Sequence, residues 1–393
     1  MRLLHTSDWH LGRSFHREGM LGHQADHLDH LLAVVESERV DLVVVSGDVY
    51  DRALPPVDAV QLADETFARL AASRARVVVT SGNHDSAQRL GFGSRLIDAA
   101  GIHFRTDAAG VGTPVLLDDE HGAVAVYGIP YLDPDHLREP WSLPARSHEA
   151  ALREAMARIH FDIARRRTRS LRKVVLAHAF VGGAPTSDSE RDIRVGGVSM
   201  VPTVVFEGVD YAALGHLHGR HTLTERVRYS GSPIAYSFSE ADQVKGSWLV
   251  ELDAGGFARA EFVEAPVPRP LARLRGDLDT LLRDPGLAVH EQSWVQATLT
   301  DDARPLQAME RLRRRFPHAL VLAFEPARPP GPAIPAVRDR ARDDHTIARD
   351  FVADLRGTPA TPAESRLLRD AVEACCDDRD VDTLLSSVQE GGP

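Results

Sequence analysis

Short apolar runs alternate with longer helical patterns through the first 265 residues, and this alternation limits the possible folds more than any other feature. The runs are Arg2–His5, Val40–Val45, Ala75–Thr80, Val124–Gly128, Val174–Ala177 and Tyr211–Leu214. Two of them contain unbroken valine triplets, at 43–45 and 77–79, which are typical of strands buried on both faces. The pattern predicts an α/β fold in which a sheet is covered by helices on each side.

Five of the predicted strands are followed at once by side chains that bind metals or exchange protons. These side chains are Asp8 and His10, Asp48 and Asp51, Asn83 and His84, His178, and finally His216 and His218. The loops of an α/β sheet converge at the carboxyl ends of its strands, so we expect these residues to form one site.

The spacing and chemistry of these residues predict a metal site. Residues i and i+2 of an extended segment point the same way, so Asp8 and His10 can hold one ion together. His216 and His218 can do the same, or a turn after Gly215 can direct them to different ions. Carboxylates, imidazoles and one amide oxygen, without a thiolate, favour Mn²⁺ or a similar divalent ion over structural zinc.

The pattern changes in the last third of the chain. Residues Val227–Glu264 predict a closing set of antiparallel strands, and the proline-rich segment Ala265–Pro270 ends that domain. A small α/β unit follows, with a strand near Trp294–Leu299, a helix near Leu306–Arg315 and a strand near Ala319–Phe324.

Two terminal helices are predicted near His345–Leu355 and Ala363–Cys376, after a proline-rich linker. In the first, Ile347, Phe351 and Leu355 form an apolar stripe that must pack on the body or on a partner. The predicted domains are therefore 1–265, a small α/β capping domain at 271–326, a linker at 327–340, and C-terminal helices with an acidic tail at 341–393.

Composition excludes several classes of protein. Forty-six basic against 57 acidic residues give a net charge of −11, which excludes a self-sufficient basic nucleic-acid binder. The two cysteines, Cys375 and Cys376, are adjacent, which excludes a disulfide scaffold and a cysteine-based zinc finger; we expect them to pack. No run approaches the roughly 20 apolar residues that cross a bilayer, and the first residues turn polar too early for a signal peptide. We expect a cytoplasmic protein.

Longer motifs carry a specific resemblance. They are HTSDWHLGR at 5–13, GDVYDRALPP at 47–56, SGNHDSAQRL at 81–90, HAFVGGAPTSDSER at 178–191 and YSGSPIAYSFSE at 229–240. In series they resemble the calcineurin-like metallophosphoesterase superfamily and, within it, the SbcD family of bacterial nuclease subunits. The resemblance covers about residues 1–265 and extends more loosely to the end of the chain. It implies layered β-sheets flanked by helices.

The resemblance also implies a role for each strand-end residue. One metal ion would be held by Asp8, His10, Asp48 and His218. The other would be held by Asp48, Asn83, His178 and His216, with Asp48 bridging the two. His84 matches the catalytic histidine, which would stabilise the pentacoordinate phosphorus or protonate the departing sugar oxygen. The ions would be Mn²⁺, with Mg²⁺ as the alternative.

The implied activity is DNA phosphodiester hydrolysis in repair and recombination. The family acts as a 3′-to-5′ exonuclease on duplex ends and as an endonuclease on single strands and hairpins. Its partner is an SbcC-type coiled-coil ATPase, and its nuclease subunits are homodimers within a heterotetramer. Predicted helical segments near Val57–Ala71 or Ser86–Ala100 could form the dimer contact here. Two alternatives remain open: a phosphatase or small-molecule phosphodiesterase of the same superfamily, and a degenerate scaffold that only docks partners.

Several residues beside the motifs have two interpretations. Trp9 is either a base-stacking platform or a packing residue, and Asp85 either orients His84 or caps its loop. Contact with DNA phosphates or ordinary solvation is expected for Arg13, Arg17, Arg52 and Arg89. His5 is expected to be packed or hydrogen-bonded.

Overall fold

The computed structural model describes residues 1–166, 170–182, 185–190, 200–326 and 343–386, with side chains as far as residue 374 in the last range. The predicted linker at 327–340 and the Cys375–Cys376 side chains lie outside the described residues. The first compact unit comprises Met1–Leu274, Asp284–Ala297 and Arg313–Val321, and the second comprises Arg275–Arg283, Thr298–Leu312 and the described residues from Leu322 onward. The predicted domain boundaries remain predictions.

The strands are β1 (Arg2–Thr6), β2 (Ser14–Phe15), β3 (Glu18–Gly19), β4 (Leu42–Ser46), β5 (Arg76–Thr80), β6 (Ile102–Phe104), β7 (Val115–Asp119), β8 (Gly122–Ile129), β9 (Arg172–His178), β10 (Tyr211–Gly215), β11 (His221–Thr222), β12 (Val227–Tyr229), β13 (Gly246–Asp253), β14 (Gly256–Glu264), β15 (Leu271–Gly276), β16 (Trp294–Leu299) and β17 (Ala319–Phe324). The helices are α1 (Leu21–Ser37), α2 (Val57–Ala72), α3 (Ala87–Leu90), α4 (Ser94–Ile97), α5 (Pro134–Leu137), α6 (His148–Arg165), α7 (Leu278–Arg283), α8 (Ala308–Arg315), α9 (Asp344–Arg356) and α10 (Pro362–Ser386).

Two six-stranded sheets form the first unit. One has the order β14-β13-β1-β4-β5-β6, and the other has the order β11-β12-β10-β9-β8-β7. Within the first sheet β1, β4 and β5 run parallel, and within the second β8, β9 and β10 run parallel. The five strands that precede the predicted site residues are therefore parallel to their neighbours, and their carboxyl ends lie at the same edge of each sheet. A third sheet has the order β15-β16-β17.

Alternate side chains of the valine triplets enter two different cores, because successive residues of a strand point to opposite faces. Val43 and Val45 pack with Leu28 and Leu31 of α1, whereas Val44 packs in a cluster that joins both sheets. The outer face of the second sheet packs against α6. The layers are therefore helix, sheet, sheet, helix, and they confirm the predicted layered sheets flanked by helices.

Three details of the sequence interpretation were wrong. The triplets are buried on both faces because a second sheet, rather than helices, covers one of those faces. In the predicted antiparallel set, β13 and β14 do pair antiparallel, but β12 pairs parallel with β10 in the other sheet. The segment 86–100 is also not one helix, since a left-handed Gly93 separates α3 from α4.

In the second unit, polar contacts stabilise α9 and join it to α10. Asp343 caps α9 by accepting a hydrogen bond from the amide of Thr346. Arg356 pairs with Glu364 at 2.7 Å. Helix α10 continues to Ser386, ten residues beyond the predicted Cys376. Across the described parts of the chain, we find no helix with the length and apolar content of a membrane span.

Candidate metal centre

All eight residues predicted for the site lie at the carboxyl ends of β1, β4, β5, β9 and β10, and all but Asn83 are buried. Strands β1, β4 and β5 end at one edge of the first sheet, and β9 and β10 end at one edge of the second. The two sheets pack face to face. Side chains that are up to about 200 positions apart in the sequence therefore meet, as His10 and His218 do.

The first group of donor atoms surrounds His10 and His218. The Nε2 atoms of these two rings lie 3.0 Å apart. Asp8 offers a carboxylate oxygen to the same group, and the three ligand atoms lie within 4.8 Å of one another. Two imidazole nitrogens facing each other beside a carboxylate are the arrangement expected of a cation site.

The second group surrounds Asn83. Its Oδ1 lies 2.8 Å from His178 Nε2 and 3.2 Å from His216 Nδ1. His178 donates from Nδ1 to the carbonyl of Ser46, which fixes the tautomer and leaves Nε2 as the ligand atom.

Asp48 lies between the two groups. Its Oδ2 is 3.7 Å from His10 Nε2 in the first group and 3.4 Å from His178 Nε2 in the second. Asp8, Asp48 and His178 also offer ligand atoms within 4.8 Å of one another. One carboxylate is therefore shared by both sets of donors.

The backbone at these residues differs from the extended segment that we expected. Asp8, His10, Asp48 and His216 have φ values of 55°, 48°, 51° and 104°. Asp8 and His10 do reach the same donor group, but through left-handed backbone rather than through strand alternation. Such conformations are costly for residues with a side chain, and they occur most often at functional sites.

Two glycines allow the loops to come this close. A Cβ on Gly47, which has a φ of 87°, would lie 2.3 Å from His178 Nδ1. A Cβ on Gly82 would lie 2.1 Å from Asp48 Oδ1. The glycines that precede Asp48 and Asn83 are thus required by packing.

His84 lies beside both groups and shares a donor cluster with His10 and Asp48. Its Nδ1 donates to the carbonyl of Asp51 at 2.7 Å, and its backbone amide donates to Asp48 Oδ1 at 2.8 Å. Asp85 accepts from the amides of Val49, Tyr50 and Gly82, so of the two interpretations it caps the loop rather than orienting His84.

The charges in the site compensate one another. Burial raises the pKa of Asp8 to about 7. Burial would lower the pKa of His178, but the adjacent Asp48 carboxylate raises it to about 9. Burial opposes ionisation of Asp48 as well, yet the imidazole of His178 keeps the pKa of Asp48 well below its usual range. The buried carboxylates, imidazoles and amide oxygen together fit divalent cations.

Contacts decide the interpretation of Trp9 and His5, whereas contact of the four arginines with DNA remains a prediction. Trp9 is 1% exposed, donates to Thr6 Oγ1 and stacks on Phe67, so it is a packing residue and not a base-stacking platform. His5 is buried between Tyr211 and Leu214, as expected. Arg13 donates to the carbonyl of Ser189, and Arg89 donates to the carbonyl of Ala53.

Sequence reasoning missed four polar side chains around His218. Ser189, Glu240 and Lys245 are buried, and Glu190 is partly buried. Two signals were present. Ser189, Glu190 and Glu240 lie inside the motifs quoted above, and Lys245 is one of only two lysines among 46 basic residues.

Comparison with known proteins identifies the class. Residues 1–220 match the model of the calcineurin-like phosphoesterase family, and residues 267–353 match the type 5 capsule protein repressor C-terminal domain. The first match spans more than half of the chain, so the protein belongs to the calcineurin-like phosphoesterase family.

A curated relative is more specific. The chain is 27% identical, over 361 residues, to the SbcD subunit of nuclease SbcCD from Staphylococcus epidermidis, covering 90% of this chain and 93% of the relative. This match confirms the resemblance to the SbcD family. Two solved structures are also similar over 67% of this chain. One is from Thermus thermophilus, at 13% identity with a TM-score of 0.39 over 98% of that chain. The other is a dimetal phosphatase from Danio rerio, at 14% identity with a TM-score of 0.37 over 96% of that chain.

Proposed function

We propose that this protein is a two-metal DNA phosphodiesterase, the nuclease subunit of an SbcCD-type complex. The observation that carries the proposal is the position of Asp48, whose Oδ2 lies within 3.7 Å of His10 Nε2 and 3.4 Å of His178 Nε2. A carboxylate shared by two donor sets is what a pair of ions about 3.5–4 Å apart requires. Similarity to the SbcD subunit of nuclease SbcCD supports DNA as the substrate.

In this proposal each ion has four protein ligands. The first set is Asp8, His10, Asp48 and His218, and the second is Asp48, Asn83, His178 and His216. Mn²⁺ suits their mixture of oxygen and imidazole ligands, and Mg²⁺ is the alternative. When bound, the ions would polarise the phosphoryl oxygens and generate a nucleophile from water at neutral pH.

His84 supplies the proton chemistry in this proposal. Its Nδ1 hydrogen is committed to the carbonyl of Asp51, so Nε2 is the nitrogen that exchanges a proton with the substrate. A protonated Nε2 would donate to the departing sugar oxygen or to the charge that develops on the phosphoryl group. The hydrogen bond to Asp51 holds the ring in place for either step.

The His84→Gln variant tests this role. We expect it to bind Mn²⁺ like the wild type and to lose turnover by about 10²–10⁴-fold, the usual contribution of general acid catalysis. Mn²⁺ titration and oligonucleotide cleavage would be measured on the same preparation. If the variant lost an ion, His84 would be a ligand and its assigned catalytic role would be wrong.

The finer activity is proposed from the same similarity. The protein would degrade duplex ends from 3′ to 5′ and cut single strands and hairpins during DNA repair, recombination and replication. An SbcC-type ATPase would bind the C-terminal helices and use ATP, and the complex would act in the cytoplasm at the nucleoid. Exposed apolar side chains in both candidate dimer segments support a homodimer; they are Val57 and Val60 of α2 and, farther along the chain, Phe92 and Leu96.

One comparison tests the central proposal. A labelled single-stranded oligonucleotide and a simple phosphate monoester would be incubated with the protein and Mn²⁺, with Asp48→Asn as the control. We expect cleavage of the oligonucleotide, and its loss in the control, because Asp48→Asn weakens the ligand that both ions share. Hydrolysis of the monoester with DNA untouched would support a phosphatase instead, and inactivity on both with no bound metal would support a scaffold.

A further inference from the structure

Lys245 is an unusual residue in this chain. Only two of the 46 basic residues are lysines, and Lys245 is the buried one, 8% exposed. Four oxygens lie within hydrogen-bonding distance of its Nζ, which shares three hydrogens among them: Glu240 Oε2 at 2.5 Å, His218 O at 2.8 Å, Gln243 Oε1 at 2.8 Å and Ser232 Oγ at 3.1 Å. A buried ammonium with this many acceptors is an organised structural element, since an unpaired one would be costly.

The contacts continue from Lys245 to the metal centre. Glu240 is 1% exposed, and its other oxygen, Oε1, accepts a hydrogen bond from Ser189 Oγ. Ser189 Oγ in turn lies 2.6 Å from Nδ1 of His218. Lysine, glutamate, serine and histidine therefore form one continuous chain of hydrogen bonds.

The direction of these hydrogen bonds follows from their chemistry. The carboxylate of Glu240, paired with Lys245, only accepts, so Ser189 must donate its hydroxyl hydrogen to Glu240. The Ser189 oxygen then accepts from His218, which places the hydrogen on Nδ1 of that ring. Nε2 of His218 is left with its lone pair, and it faces His10 Nε2 at 3.0 Å.

We propose that Lys245, Glu240 and Ser189 form a relay that sets the tautomer and orientation of His218 as a metal ligand. The inference rests on the proposed metal centre and names positioning residues within it. The backbone of His218 is held as well, since its amide donates to Glu190 Oε1 at 2.6 Å and its carbonyl accepts from Lys245. Partners of this kind behind a metal-binding histidine typically contribute 10–100-fold to metal affinity or activity.

The relay also gives a reason for lysine at position 245. Four oxygens converge on a single nitrogen, which suits the compact ammonium of lysine. The planar guanidinium of arginine spreads its donors over a fork and cannot meet the same four oxygens. Lysine, which is rare in this sequence, therefore occupies position 245 because arginine would not fit there.

The test is a titration of the full-length, metal-free protein with Mn²⁺. Calorimetry and the electron paramagnetic resonance of bound Mn²⁺ would monitor the binding. Ser189→Ala removes the hydroxyl that links Glu240 to His218. We expect one Mn²⁺ to bind as in the wild type and the other to bind 10–100-fold more weakly. Ser189→Thr keeps the hydroxyl and should restore the affinity to within about threefold of the wild type.

Matched variants separate positioning from general damage. Ser73→Ala is the control, because Ser73 Oγ donates to the carbonyl of Leu70 and accepts from the amide of Ala75, outside the chain of hydrogen bonds that reaches His218. It should bind both ions like the wild type, whereas Lys245→Arg should lose the same ion as Ser189→Ala. Wild-type affinity of Ser189→Ala for both ions would overturn the inference, as would a loss that Ser189→Thr fails to restore.

The same titration separates this inference from the proposed function. A wild-type protein that binds two Mn²⁺ without cutting DNA would overturn the proposed substrate, while a selective loss in Ser189→Ala would still support the relay. A wild-type protein that binds no Mn²⁺ would overturn both.

Discussion

At the scale of single residues, the site combines strained backbone with satisfied hydrogen bonds. Four of the predicted ligands have positive φ, and contacts from other strand ends hold them. The amide of Asp8 donates to the carbonyl of Gly47, for example, and the amide of His216 donates to the carboxylate of Asp8. The two sheets thereby stabilise conformations that a free loop would leave, which keeps the donor atoms in place before any cation binds.

Unlike the site residues, the buried ring of His27 in α1 has unsatisfied hydrogen-bonding groups. It is 4% exposed, and neither ring nitrogen has a hydrogen-bond partner among the described residues. We expect His27→Leu to raise the free energy of unfolding at pH 7 by about 1–3 kcal/mol, because an unsatisfied buried group costs roughly that much. Chemical denaturation would measure it.

The stability gained in the His27→Leu variant should depend on pH. Burial, aided by nearby His30, lowers the pKa of His27 from 6.5 to about 3, so below pH 6.5 the unfolded chain binds a proton that the folded chain excludes. Stability is therefore lost as the pH falls from 6.5 towards 3, and at pH 5 the advantage of His27→Leu should be about 2 kcal/mol larger than at pH 7. The largely solvated His136→Gln variant is the control. An advantage that stays constant with pH would contradict the burial of His27 as a neutral ring.

At the scale of elements, the sequence predicted the strands and helices whose residues show a local hydrophobic pattern. The valine triplets predicted β4 and β5, and the donors after each strand predicted which residues would meet. The partners of a strand depend on contacts between distant segments, so the parallel pairing of β12 with β10 carried no local signal. For the same reason the backbone at Asp8 was predicted as extended, although its conformation depends on β4 and β10.

Helix α9 has an apolar face that the described residues leave open. Ile347, Phe351 and Leu355 are 51%, 62% and 71% exposed and lie at i, i+4 and i+8. Phe351→Asp should abolish binding to the proposed ATPase partner and leave metal-dependent cleavage of short single strands unchanged, because a charge in a buried apolar contact is costly. Co-purification with the partner would measure binding, with Arg349→Gln as the control. Retained binding by Phe351→Asp would show that α9 does not form this interface.

At the scale of the whole molecule, the net charge of −11 constrains how the proposed DNA substrate can be bound. Most of the affinity of proteins for DNA comes from basic side chains that neutralise phosphates and release counterions. A local attraction at the metal centre can orient one phosphodiester, but it cannot supply the many phosphate contacts that tight duplex binding requires. We therefore expect tight duplex binding to require the proposed ATPase partner.

This requirement predicts that the protein alone binds duplex DNA no more tightly than about 10⁻⁶ M near physiological salt, the range of non-specific binding. Adding the ATPase partner should tighten binding and steepen its dependence on salt, since the partner would add phosphate contacts. Fluorescence anisotropy with a labelled duplex, Mn²⁺ and the Asp48→Asn variant, which should not cut the probe, would measure both quantities. Nanomolar binding by the isolated protein would mean that the arginines of this chain form a local basic surface strong enough to overcome its overall charge.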